Sequence, residues 1–213
     1  MCGLGHAEVA HSSVEIDEMR GLQRSGDVDR DAAELAGRLS RSVVEVRSGS
    51  GFGAGTIWRS DGLIVTNNHV VPFGRAEVRL SDGTSTIGQV LARDPSNDLA
   101  VIEVALRELP AVDIRRDPVR TGELVMAIGH PFGVRHSAAL GIVSTPVGSV
   151  EGFERPLIRA DVPIGPGNSG GPLVDAIGRA VGINAMVGGG LALAVPSALA
   201  EGLVRAVIAR AAA

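Results

Sequence analysis

The stretch GPGNSGGPLV, residues 165–174, sets a single serine, Ser169, among four glycines and two prolines. Gly167, Ser169 and Gly171 fit the G-x-S-x-G pattern of a nucleophile elbow, where a serine sits on a sharp strand-to-helix turn. The same residues equally suit a loop whose backbone N–H groups form an oxyanion hole in a different fold. Glycine-rich loops with a serine also occur where nothing is catalysed. These ten residues leave all three readings open, and the rest of the chain has to separate them.

A serine hydroxyl is a weak nucleophile at neutral pH. It needs an adjacent base, usually histidine, and a carboxylate that fixes the histidine tautomer. The histidines are His6, His11, His69, His130 and His136, and none follows Ser169. An elbow-type hydrolase orders its residues serine, acid, histidine, so that fold is excluded. Histidine must precede serine, as in the chymotrypsin-type barrels (His, Asp, Ser) or the subtilisin-type α/β fold (Asp, His, Ser).

The hydrophobic pattern chooses between these. From residue 42 to about 195 the chain is a series of short Val/Ile-rich runs bounded by Gly, Asp or Pro: SVVEVRS, GAGTIW, LIVTNN, RAEVRL, STIGQVLAR and LAVIEV, then LVMAIG, SAALGIVSTPVGSV, LIRADVPI, PLVDA, AVGINAMV and LALAVP. About a dozen strands at this spacing predict an all-β fold of barrels or sandwiches. Roughly six fall on each side of a cleft. Two helices flank them. Asp31 and Glu34 make a capping-box-like start to a short helix running to about Ser40. PSALAEGLVRAVIARAAA predicts a terminal helix with Ser197 as cap and an apolar stripe of Leu199, Leu203, Val204, Val207 and Ile208. Residues 1–30 are polar without a period and are expected to be a flexible arm.

Among the histidines, His6 and His11 lie in that arm, and His130 and His136 sit in or near the turn GHPFG. His69, in LIVTNNHVV, lies at a strand end, where a side chain can be held at a cleft. A metal site from His69, His130 and His136 has no recognisable ligand spacing, so no metal is expected. Of the carboxylates, Asp82 is explained by an S-D-G turn and Asp94 by the turn before Pro95. Asp98 stands at the mouth of the buried strand LAVIEV. Spacing alone leaves the choice of carboxylate open.

Composition narrows the function classes. With 213 residues and 45% apolar content, a globular core is expected without disulfides. All 20 basic residues are arginine, the net charge is −4 and no dense basic run exists, which argues against nucleic-acid binding. The lone Cys2 allows no internal disulfide. Glu8, Glu15, Asp17, Glu18, Asp27 and Asp29 load the first thirty residues with acid, and no apolar run reaches membrane-spanning length. The expectation drawn is a cytoplasmic protein without membrane insertion.

GLIVTNNHVV, DPSNDLAVIEV and PGNSGGPLVDAIGRAVGIN, together with AIGHPFGV and GIVS, resemble the HtrA (Deg) family of trypsin-like serine proteases over about residues 38–205. The resemblance implies a double β-barrel, with barrels at roughly 38–110 and 120–196 and a helix at 197–211. It places His69 on the general base, Asp98 on the orienting carboxylate and Ser169 on the nucleophile. Gly167 and Ser169 would supply oxyanion N–H groups, with Asn168 between them. The implied enzyme is a serine endopeptidase of unfolded or flexible polypeptides that needs no cofactor. Asn168 replaces the aspartate that captures a new N-terminus in trypsin-like zymogens, so activation by N-terminal cleavage is not expected. Pro163 stands where the base of the specificity pocket belongs. With Ile164, Asn184, Ala185, Met186, Leu191 and Ala192 it forms an uncharged pocket, which implies an aliphatic residue (Val, Ala, Leu or Met) on the acyl side of the cut bond. Family members commonly add PDZ domains, and these sequence motifs contain none. Family trimers are often tied by N-terminal aromatics, and none precedes Phe52, so a homo-oligomer stays open without a trimer being carried over. Pro163 and Gly165 depart from the family loop, which switches between active and inactive forms. The alternatives are a catalytically silent binding or chaperone module on the same fold, and an esterase or other acyl transferase.

Overall fold

The computed structural model describes residues 29–130, 137–150 and 153–212. The chain divides into Met1–Leu35 and Ala36–Ala213. In the first unit the described residues, 29–35, are helical; in the second, residues 36–40 are helical, and together they form α1 (29–40). Residues 29 and 30, expected in the arm, already belong to this helix. Asp29 and Asp31 suit its first turn, where negative charge complements the helix dipole. The remainder of the predicted arm lies outside the described residues.

Twelve strands follow among the described residues: β1 Val43–Ser48, β2 Gly51–Ile57, β3 Leu63–Thr66, β4 Arg75–Arg79, β5 Ser85–Asp94, β6 Leu99–Glu103, β7 Leu124–Gly129, β8 Ser137–Val150, β9 Phe153–Asp161, β10 Pro172–Asp175, β11 Ala180–Gly188 and β12 Leu191–Pro196. They close into two antiparallel barrels, ordered β1-β2-β3-β6-β5-β4 and β10-β11-β12-β9-β8-β7. Closure removes the sheet edges that short Val-rich strands would otherwise expose. Each barrel is filled by alternate residues of its strands. Val44, Val46, Ile57, Ile64, Val78 and Ile102 fill the first, and Val125, Val143, Ile158, Leu173, Val181 and Ala194 the second. With no tyrosine in the chain, aliphatic side chains carry this work. Each fully buried Val or Ile contributes about 1.5–3 kcal/mol.

The two barrels are stitched together by backbone. The Ala54 N–H of β2 donates to the Ser169 carbonyl (2.8 Å), and the Thr56 hydroxyl donates to the Gly170 carbonyl (3.0 Å). The serine loop of the second barrel is therefore anchored on a strand of the first. The linker is pinned too: Ile114 bridges Ala180, and Val112 N–H donates to the Ile57 carbonyl.

The C-terminal helix, α2, spans Ser197–Ala211. Two details differ from expectation. Ser197 does not cap it; Pro196 holds that position, and the Ser197 hydroxyl donates to the Arg115 carbonyl at 3.4 Å. The buried spine is Ala200, Val204 and Val207, while Ile208 is exposed. The stripe turned because small Ala200 lets the helix lie close to the strands, which leaves Leu199 and Leu203 half-buried at the flanks.

Candidate active site

TNNHVV leaves β3 at Thr66 and turns into a short 3₁₀ segment, Asn68–Val70, which carries His69. His69 thus sits on a tight turn past the strand rather than at its end. Asp98 immediately precedes β6 and has φ of 55°. This left-handed conformation costs a non-glycine residue about 1–2 kcal/mol, and aspartate tolerates it better than most. Two donors hold it there: the Asn67 amide and the Asn68 N–H both reach the Asp98 carbonyl, at 2.9 and 3.1 Å. The carboxylate is thereby turned onto His69. Oδ1 accepts the His69 main-chain N–H at 3.0 Å, and Oδ2 accepts from Nδ1 at 2.8 Å. A carboxylate can only accept, so Nδ1 carries the proton and Nε2 of the neutral ring is left as an acceptor. Asp98 is buried, whereas half the His69 side chain is exposed, 49% against 10%.

The other carboxylates that sequence put aside are turn formers. Asp82 Oδ1 accepts the Thr84 N–H, which holds its carboxyl below the usual range, and Asp94 accepts both the main-chain and side-chain nitrogens of Asn97.

Ser169 lies on the loop before β10 of the second barrel. Its hydroxyl donates to the Ala185 carbonyl at 2.8 Å. A β-bulge makes that carbonyl available: Asn184 pairs with Ala194 and Met186 with Leu193, so Ala185 is the extra residue. Ala185 also lines a cavity of about 390 Å³ with His69, Pro95, Asp98, Arg155 and Met186. A larger cavity of about 680 Å³, between the 112–119 segment and α2, holds none of the predicted site residues.

The loop before the serine is tightly built. Gly167 has φ of +103°, and a Cβ there would run into the His130 carbonyl. The His130 N–H donates to the Gly167 carbonyl, and the Asn168 N–H to the Gly165 carbonyl, both at 3.0 Å. The Asn168 N–H is thus already occupied within the loop. Among the described residues, the backbone bonds include none donated by the N–H of Gly167 or Ser169.

The predicted pocket residues are spread out. Pro163 is exposed, Ile164 packs on the second core, and Ala192 is buried within it. Asn184 is fully buried, its amide donating to the Pro172 carbonyl while its own carbonyl accepts the Gly170 N–H, so it braces the serine loop. Ala185 and Met186 face His69, and Leu191 is half-buried at the start of β12. His6, His11 and His136 lie outside the described residues. Sequence reasoning missed Ala54, Thr56 and Arg155. The first two act through geometry across the barrels, and nothing in the local pattern of Arg155 marks it.

The family profile of the trypsin-like peptidase domain matches residues 53–183. The chain is also similar to solved HtrA-type proteases: AlgW with a decapeptide at 31% identity and TM-score 0.76, covering 83% of this chain and 67% of that one. The chain belongs to the trypsin-like peptidases of the HtrA type. A Yersinia pestis serine endoprotease shares the fold at 28% identity and TM-score 0.74, covering 83% of this HtrA-type chain and 66% of its own. Among curated relatives, probable periplasmic DegP-like serine endoproteases of Pseudomonas fulva and Bartonella henselae are 42% and 40% identical, over 72% and 74% of this chain. The HtrA-type chain spans about a third of their length, 34% and 33%. These relatives correct the cytoplasmic expectation, since they are named as periplasmic. The acidic composition of the first thirty residues, on which that expectation rested, does not report the compartment of the family.

Proposed function

We propose that the chain is a serine endopeptidase in which His69, Asp98 and Ser169 act as a triad on flexible or unfolded polypeptides in protein quality control, in the periplasm that the names of its relatives give. The observation that carries this is the double grip of Asp98 on His69, through Nδ1 and the main-chain N–H, with the Ser169 hydroxyl bonded to Ala185, which lines the same cavity as His69. In the reaction, Ser169 Oγ turns from the Ala185 carbonyl toward His69 Nε2 and attacks the scissile carbonyl carbon. Its proton passes to Nε2, and the carbonyl oxygen becomes an oxyanion facing the N–H groups of Gly167 and Ser169. The C–N bond then breaks as His69 returns the proton to the departing amine. Water, deprotonated by His69, releases the acyl group by the same steps in reverse order. Each oxyanion donor is worth about 3–4 kcal/mol in the transition state.

An extended substrate adds as a strand along the edge of β11 past Asn184, held by main-chain hydrogen bonds. The uncharged character of the residues matched to the pocket favours an aliphatic residue before the cut, because a cation would find no partner among them.

The test combines fluorophosphonate labelling with casein digestion by the native chain and by Ser169→Ala. Labelling at Ser169 and casein fragments ending in Val, Ala, Leu or Met are expected, both lost in the variant. Absence of labelling under every condition supports the silent binding module instead, and ester turnover without peptide cleavage supports the acyl transferase. Fragments ending mainly in Arg contradict the pocket assignment.

A further inference from the structure

Arg155 on β9 lies beside the proposed catalytic carboxylate. Its Nη2 lies 3.7 Å from Asp98 Oδ2, and its side chain is only 11% exposed. That distance is a charge contact, too long for a hydrogen bond. Both Asp98 oxygens already accept from His69. Arg155 Nε is buried and has no hydrogen-bond partner among the described residues. A guanidinium offers five N–H donors in a planar fork that matches a carboxylate, and burying such donors without acceptors is costly. The arginine therefore has a cation's field and unused donors, and it lines an open cavity.

That cavity, about 390 Å³, is walled by His69, Pro95, Asp98, Arg155, Ala185 and Met186. Its place relative to a substrate strand follows from β11. Residues 180–183 pair with β10 on one side, whereas Met186–Gly188 pair only with β12 among the described residues. An extended peptide on that free edge, with its reactive carbonyl at Ser169 beside Ala185, turns successive side chains to opposite sides. The scissile residue turns toward the second barrel. The residue before it points toward the imidazole of His69, where this cavity lies.

We propose that Arg155 is a specificity-determining residue that selects Asp or Glu immediately before the scissile residue of the substrate. The inference rests on the serine endopeptidase reading of the site. A carboxylate entering beside His69 pairs with the guanidinium charge of Arg155, which borders the cavity. An arginine or lysine side chain meets like charge.

The experiment uses matched peptides with Glu or its isostere Gln at that position. Turnover is measured with the full chain, and binding with Ser169→Ala. One charge-assisted pair at a half-buried site predicts about a tenfold higher kcat/KM and a comparably lower Kd for Glu. In Arg155→Gln the Glu-to-Gln ratio falls to about one, and Arg155→Lys, which keeps the charge, restores part of it. A purely structural role lowers both peptides together and leaves the ratio unchanged, which overturns the proposal. A ratio of about one in the unsubstituted chain also overturns it. Should Arg155→Gln not fold, salt decides: the preference shrinks as ionic strength rises if it is an ion pair, and a salt-independent preference contradicts it. The two readings fail separately. Turnover without a Glu preference removes the role of Arg155 alone. Glu-selective binding without turnover or labelling removes the peptidase reading alone.

Discussion

At the scale of single residues, two backbone conformations set up the site. Asp98 accepts a left-handed φ so that its carboxylate can face His69, and Gly167 accepts φ of +103° so that its carbonyl can meet the His130 N–H. Only glycine fits at 167, because a Cβ would meet the His130 carbonyl and the Phe52 ring. Gly167→Ala is expected to displace the oxyanion N–H and cut kcat at least about 10²-fold, the usual loss for one such donor. Circular dichroism should stay unchanged, and a variant with normal kcat would contradict this role. That a histidine must precede Ser169 was legible because chemistry restricts which residue types can cooperate, whereas the carboxylate stayed open until the family resemblance pointed to Asp98. Arg155 was not legible, because a lone arginine in a strand reads as a solvated side chain until the fold brings it beside Asp98.

Among the elements, β11 and α2 show what local pattern can and cannot say. Most strand boundaries were readable from Gly, Asp and Pro punctuation, since these residues end strands by their own backbone preferences, but β9 spans Phe153–Asp161, through Pro156, where LIRADVPI (157–164) was expected. The bulge at Ala185 was not readable, because AVGINAMV alternates no differently there. The face of α2 was read in part: Val204 and Val207 are buried as expected, but Ala200 joins them in place of Leu199, Leu203 and Ile208, because side-chain size as well as hydrophobicity decides which stripe packs closely. Glu201 on α2 accepts the indole N–H of Trp58, which follows β2, at 2.8 Å. That bond, with help from Arg205, holds the Glu201 carboxyl below the usual range. Trp58 is buried at 3% exposure, so removing its acceptor leaves a donor without water. Glu201→Ala is expected to destabilise the fold by about 1–2 kcal/mol in urea denaturation, and Glu201→Gln, which keeps an acceptor, by less. Equal losses in both variants would show that the charge, not the hydrogen bond, matters.

Across the whole molecule, charge and covalent order act at a distance in sequence. Arg115 from the inter-barrel linker donates to Glu123 at 2.6 Å and lies 3.7 Å from Asp175 at the end of β10; Arg120 adds a second bond to Glu123 at 2.6 Å. The hydrogen bonds from Arg115 and Arg120 lower the Glu123 carboxyl from 4.5 to about 2. A depressed carboxylate stabilises the fold above its unfolded value and loses that contribution as pH falls through its folded one. The Tm of the native chain should therefore exceed that of Glu123→Gln at neutral pH, with the gap closing between about 4.5 and 2. A gap independent of pH would contradict the ion-pair account. The proposed triad has the same long-range character, since His69 and Asp98 come from the first barrel and Ser169 from the second. Its central claim is that the three act as one unit, and groups acting as a unit have non-additive effects. The direct measurement is kcat/KM on one peptide for His69→Ala, Ser169→Ala and the double variant. Each single variant is expected to fall by several orders of magnitude, to about the floor of the double. Losses that multiply in the double variant, or a Ser169→Ala chain that still cleaves, would contradict it.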